Sequence, residues 1–172
     1  MVQIIPAIAD DGTLYKIEKM EAHRQGVLHL AISVFIFDGD DMLIQRRADG
    51  KYHCGGMWAN ACCSHPHWDE SAADAAERRL GEELGCALPL RACGETTYRA
   101  DVGGGLWEHE RVTMFRGDSA RDALTLDLNP DEVSEVRWAS VDALRAEAKA
   151  VPETITPWFR IYLDRWEALG VA

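Results

Sequence analysis

The sequence predicts a single α/β domain of the α+β type, a mixed β-sheet flanked by helices. Three observations carry that expectation. The 172 residues suit one domain with one sizeable core. Strand-like and helix-like segments are interleaved along the chain, and one pair of strands is joined by a turn short enough only for an antiparallel hairpin.

Taken in order, residues 1–19 read as short extended pieces around the turn signal Asp10-Asp11-Gly12. Leu28 to Phe37 reads as a buried strand, and Asp38-Gly39-Asp40-Asp41 turns it into a second strand, Met42 to Arg46. The period then changes. From Trp68 to Leu84, Ala73, Ala76, Leu80 and Leu84 recur at helical steps, and Gly85 supplies a C-terminal stop. On the same helix Ala75, Arg79 and Glu83 make a second row, which aims Arg79 and Glu83 at one ligand. Thr96 to Ala100, the Gly103-Gly104-Gly105 turn, Leu106 to Phe115 and Val133 to Trp138 complete the strands. Ser140 caps a helix to about Ala150, and an amphipathic helix begins near Pro157.

Composition narrows the partners. Asp and Glu total 29 against 18 Lys and Arg, a formal net charge of −11, so the overall field repels nucleic acid and anionic membranes. A small anionic substrate is still accommodated wherever Lys and Arg cluster locally. The five cysteines are odd in number and their spacing makes neither a zinc ribbon nor a disulfide framework. A cytoplasmic protein is expected, since no signal-like leader or bilayer-length apolar run is present.

Residues 64–86, SHPHWDESAADAAERRLGEELGC, resemble the Nudix box, with Glu70, Arg78, Leu80, Glu82, Glu83 and Gly85 in register. Ser64 replaces its opening Gly, and Arg79 replaces the Glu that follows Arg78. That second departure removes a carboxylate that would help hold several divalent ions in a pyrophosphohydrolase and puts a phosphate-binding fork in its place. Overlapping the box, Trp58-Ala-Asn-Ala-Cys-Cys-Ser-His-Pro66 resembles the Trp-x-Asn-x-x-Cys-x-His-Pro run of the type I isopentenyl-diphosphate isomerases. Tyr98-Arg-Ala-Asp101 followed by Glu108-His-Glu110 is similar to the same family, and the resemblance runs from Lys19 to Trp158.

The resemblance implies a single Nudix-like domain over residues 1–172. It implies Cys63 as a catalytic residue and His65 as a metal ligand. It also implies Glu110 as the second acid–base group with Tyr98 as its proton relay, and a zinc or manganese site formed by His23, His29, His65, Glu108 and Glu110. Magnesium would be held by Glu83 and the substrate diphosphate, Lys19, Arg47, Lys51 and Arg79 would clamp that diphosphate, and the ring of Trp158 would face the reacting carbons.

Residue patterning bears on these roles. Strand alternation puts Glu108, Glu110 and Val112 on one face and Trp107, His109 and Arg111 on the other, which sets His109 apart from the metal. His29 shares its side with Ala31 and Ser33, and Cys62 and Cys63 face opposite sides. Cys62, Cys86 and Cys93 read as buried apolar residues, and His53 and His67 as surface residues. The implied reaction converts isopentenyl diphosphate to dimethylallyl diphosphate through a tertiary carbocation, with the protein a monomer or homodimer. A Nudix hydrolase and a non-catalytic metal-binding module are the alternatives, the first disfavoured by Arg79.

Overall fold

The computed structural model describes residues 2–172. Strands β1 (Ile4–Ile8) and β2 (Leu14–Glu18) form a hairpin, closed where Thr13 N donates to Asp11 Oδ1 at 2.9 Å and Gly12 takes φ 84°. The chain then makes a helix the sequence did not announce, α1 (Lys19–Gln25). Glu18 caps it by accepting from the amides of Met20 and Glu21, and Gly26 ends it in the left-handed conformation.

The middle of the molecule is β3 (His29–Asp38), followed by β4 (Asp41–Arg47), β5 (Trp58–Asn60), β6 (Cys62–Ser64) and helix α2 (Ala72–Leu84). The last part supplies β7 (Arg91–Gly103), β8 (Leu106–Asp118), β9 (Val133–Ser140), α3 (Val141–Ala150) and α4 (Pro157–Asp164). One edge of β3 pairs in parallel with β8 along its whole length, from His29 beside Glu110 to Phe37 beside Asp118. Its other edge is shared in succession by β1, β6 and β4, all antiparallel. The mixed sheet is completed by β7 on β8 and by β5 and β9 on β4. Among the described residues no helix is long and apolar enough to cross a membrane.

Two boundaries differ from the sequence expectation. Helix α2 begins at Ala72 rather than near Trp68, because Asp69 has φ 66° and Ser71 caps the amide of Asp74 at 3.1 Å. Ala73 is consequently exposed, and Ala75, Ala76, Leu80 and Leu84 make the buried stripe. Strand β7 extends well beyond Thr96–Ala100, since its first residues, Arg91 to Glu95, pair with β8 although their sequence shows no clear alternation.

Each face of the sheet carries a core. Ile32, Val34, Ile36, Leu43 and Cys62 pack under Leu80 and Leu84 of α2. Ala31, Phe35, Phe37, Val112 and Met114 pack under Trp158, Phe159 and Tyr162 of α4. Each large side chain fully buried here contributes roughly 1.5–3 kcal/mol relative to exposure. At its end nearest His29, the second core gives way to polar groups.

Candidate active site

The register of the sheet assembles this polar patch. On β8, Glu110 lies beside His29 of β3 on one side and Tyr98 of β7 on the other, while Glu108 lies opposite Ala100. On the far edge of β3, Cys63 of β6 lies beside Ser33. Laterally paired residues share a face, so Tyr98, Glu108, Glu110, His29, Ser33 and Cys63 all point toward the α4 side. His109 points the other way, with its Nδ1 at 3.1 Å from the carbonyl of Gly26, as the alternation requires.

Four groups converge in a buried pocket. His23 Nδ1 lies 2.7 Å from the Lys19 carbonyl and His29 Nδ1 lies 2.8 Å from the Val27 carbonyl. A carbonyl only accepts, so each Nδ1 carries a proton and each neutral ring presents a lone pair at Nε2. Nε2 of His23 is buried without a partner among the described residues. Nε2 of His29 lies 3.2 Å from Nε2 of His65, which in turn lies 2.8 Å from Glu110 Oε1. Single donor atoms of His23, His29, His65 and Glu110 all fall within 4.8 Å of one another.

Lone pairs and a carboxylate aimed at one point repel unless a cation sits among them, and three imidazoles with a carboxylate fit a divalent transition metal. The local titration agrees. Burial pushes His23 down to about 4 and His65 well below the usual histidine range. Burial also lowers His29, but the hydrogen bond and charge of Glu110 outweigh it and hold His29 above its ordinary value. Glu110, despite burial, is held well below the carboxylate range by His29 and His65. The carboxylate of Glu110 thus favours positive charge at this point.

Tyr98 bridges the carboxylates, its hydroxyl 2.7 Å from Glu108 Oε2 and 2.6 Å from Glu110 Oε2. Burial and both negative charges push its pKa well above the usual tyrosine value. The phenol therefore keeps its proton and serves one carboxylate at a time. Across β3, the Cys63 thiol donates to Asn60 Oδ1 at 2.9 Å and lies 3.2 Å from Ser33 Oγ, itself 3.0 Å from the Tyr162 hydroxyl. Asn60 is oriented by its amide, which donates to the carbonyls of Val34 and Cys62 at 3.0 and 3.1 Å. Burial pushes the Cys63 thiol up, and the bond from Ser33 opposes it only in part.

The cleft beside this patch is lined by Cys63, Glu110, Lys19, Lys51, Arg79 and Trp158, among others. Arg79 donates to Glu82 Oε2 at 2.7 Å and Glu83 Oε1 at 2.6 Å, and lies 3.4 Å from Glu132. Glu83 also accepts from Gln45 at 2.9 Å, and Glu132 accepts from Lys51. Burial, then the nearby charges of Lys51 and Arg79, bring Lys19 down to about 8. Such a cluster favours an arriving anion. Arg47 does not line the cleft. It donates to the His53 carbonyl at 3.2 Å and stacks 5.3 Å from the centre of the Trp158 ring.

Sequence reasoning places His53 on the surface, and the structure overturns that. His53 is 6% exposed, with Nε2 3.2 Å from Glu108 Oε1, because Cys54 and Gly56 adopt positive φ and turn the loop inward. His67 is exposed as expected, and Cys93 is only half-buried. Glu132, Asn60 and Ser33 also went unassigned. Ser33 had a signal, a small polar residue two positions from Ala31 on the face of His29.

A mixed sheet, a helix carrying Arg79 and Glu83, and a cleft lined by carboxylates, Lys and Arg make up the site. The NUDIX domain profile matches residues 27–159. An isopentenyl-diphosphate Delta-isomerase of Jannaschia sp. is 52% identical over 157 residues, covering 91% of this chain and 89% of that protein. One from Cereibacter sphaeroides is 51% identical over 164 residues, covering 95% and 92%. The chain belongs to the isopentenyl-diphosphate Delta-isomerase family of Nudix proteins. Solved structures share the fold at low identity. A Deinococcus radiodurans protein matches with TM-score 0.77 at 16% identity over 95% of this chain and 98% of its own. A MutT protein from Methanosarcina mazei matches with TM-score 0.65 at 18% identity, over 82% and 94%.

Proposed function

We propose how this chain's residues perform the conversion of isopentenyl diphosphate to dimethylallyl diphosphate, the activity of its family. The observation that carries the reading is the placement of Cys63 and Glu110 on strands that pair with opposite edges of β3, both lining one cleft. Two strand spacings across the sheet, roughly 10 Å, and the four-residue step from His29 to Ser33 along β3, roughly 13 Å, separate their backbones. A flat five-carbon chain fits between side chains reaching in from either end.

Going forward, Glu110 with Tyr98 delivers a proton to the terminal methylene, the charge develops on the tertiary carbon, and Cys63 removes a proton from the carbon two bonds from oxygen. The pair shares one proton, on the Glu110 side before the reaction and on Cys63 after it. Burial keeps the resting thiol protonated, the state from which the reverse direction starts. Trp158 lines the same cleft and offers a π face to the cation, while the buried walls exclude the water that would capture it.

His23, His29, His65, Glu108 and Glu110 would hold a manganese or zinc ion, which supplies the positive charge that fixes Glu110 in place. Glu83 would hold magnesium together with the diphosphate, and Lys19, Lys51 and Arg79 would take the phosphate oxygens. Arg47, stacked on Trp158, acts on the clamp from behind. All five cysteines are free, which supports a reducing, cytoplasmic setting. Incubation with isopentenyl diphosphate in deuterated water tests the reading by NMR. Deuterium in the methyl group of dimethylallyl diphosphate with no free phosphate is expected. Phosphate release without isomerisation would make the protein a hydrolase.

A further inference from the structure

His53 is a buried histidine with a purpose the mechanism above does not use. Its side chain is 2% exposed, and among the described residues neither ring nitrogen has a hydrogen-bond partner of good geometry, Nε2 only approaching Glu108 Oε1 at 3.2 Å. The ring is locked in place by Tyr52 at 4.3 Å, Trp158 at 5.7 Å and His23 at 5.9 Å between centroids. A buried imidazole with both nitrogens unsatisfied is costly, and such groups call for a specific explanation.

Donor atoms of His53, His23 and Glu108 lie within 4.8 Å of one another, and this group shares His23 with the group formed by His23, His29, His65 and Glu110. The Tyr98 hydroxyl ties the two groups together a second time through Glu108 and Glu110. With metal–donor bonds near 2.1 Å, neighbouring donors of an octahedron lie roughly 3 Å apart and opposite donors roughly 4.2 Å apart. Each group taken singly is close to that size, and the two meet at their shared member, His23.

We propose that His53 is the sixth protein ligand of the metal centre, joining it through the group it forms with His23 and Glu108. The inference rests on the metal site proposed above. Its consequence is a centre of four imidazoles and two carboxylates with no position left for water or substrate. Such an ion would hold Glu108 and Glu110 in orientation and would stay away from the reacting carbons. It also fastens the loop of residues 48–57, which carries Lys51 of the diphosphate clamp, to the acid–base pair.

The test uses Mn²⁺ alone with the full chain, measuring binding by equilibrium dialysis and coordinated water by water-proton relaxation. Wild type should bind one ion with no exchangeable inner-sphere water. His53→Ala should bind at least about tenfold more weakly and gain one such water. His53→Phe, which keeps a ring against Tyr52 and Trp158, should weaken binding without admitting water. Weaker binding in His53→Ala with no added water would mean that His53 acts only through Glu108, and would overturn the proposal, as would unchanged binding. If the variants fail to fold, an inner-sphere water in the wild-type complex would still contradict it. Wild type that binds no Mn²⁺ would sink the metal site itself, whereas a bound ion indifferent to His53 would sink only this inference.

Discussion

The two faces of β3 show how one strand serves two purposes. Toward α2 it presents Ile32, Val34 and Ile36, all buried in hydrocarbon. Toward α4 it presents His29, Ala31, Ser33, Phe35 and Phe37, polar and small at one end and aromatic at the other. Adjacent cysteines are divided in the same way. Cys62 packs with the α2 core, and Cys63 meets Ser33 and Asn60 at the cleft. Function here lies where one face abandons the large apolar residues that the alternation would otherwise demand. The opposite face supplies the stability that makes this tolerable.

The largest expected effect is on the polar face. Glu110→Gln should lower the isomerisation rate by about 10²–10⁴-fold, the usual contribution of a positioned acid–base group, while its amide oxygen still ligates metal. His65→Ala should lose both rate and metal. Rate and metal content measured together separate the two variants, and an inactive His65→Ala with full metal would remove His65 from the ligand set.

On the opposite face, Leu80→Ala should cost about 2–5 kcal/mol of stability by leaving a cavity under α2, with kcat unchanged at a temperature where the protein is still folded. Denaturant unfolding and steady-state rates check this. A variant that loses kcat while folded would mean that the two faces are not independent.

Arg79 sits at the rim between the faces, and Arg79→Ala should raise KM by about 10- to 150-fold, equivalent to roughly 1.5–3 kcal/mol for a charge-assisted bond. Unchanged substrate affinity would reduce Arg79 to the partner of Glu82 and Glu83. The smallest effect is in pH. Lys19 is brought down to about 8 in the free protein, so its charge is lost as pH rises through that value. KM should climb above pH 8 while kcat, set after the diphosphate has restored the proton, stays level. Lys19→Arg should flatten the profile, since guanidinium remains charged.

Much of this was legible in the residues. Alternation placed Glu108 with Glu110 and His29 with Ser33, and the helical period placed Arg79 near Glu83. Helix α1 was not legible because its seven residues are too short to display a period. His53 and Glu132 escaped for another reason. Both lie in irregular segments, where no period says which way a side chain points, and only positive φ at Cys54 and Gly56 turns His53 inward. His23 entered through family resemblance, and the geometry of Nε2 now gives it a physical basis.

The central claim is that chemistry occupies only the α4 face, and the paired cysteines test it most directly. Isomerisation rates should be compared for Cys62→Ala and Cys63→Ala, with folding of each checked by thermal melting. Cys63→Ala should lose about 10²–10⁴-fold in rate at nearly wild-type stability, and Cys62→Ala should keep most of its rate. Equal losses in the two folded variants would contradict the account.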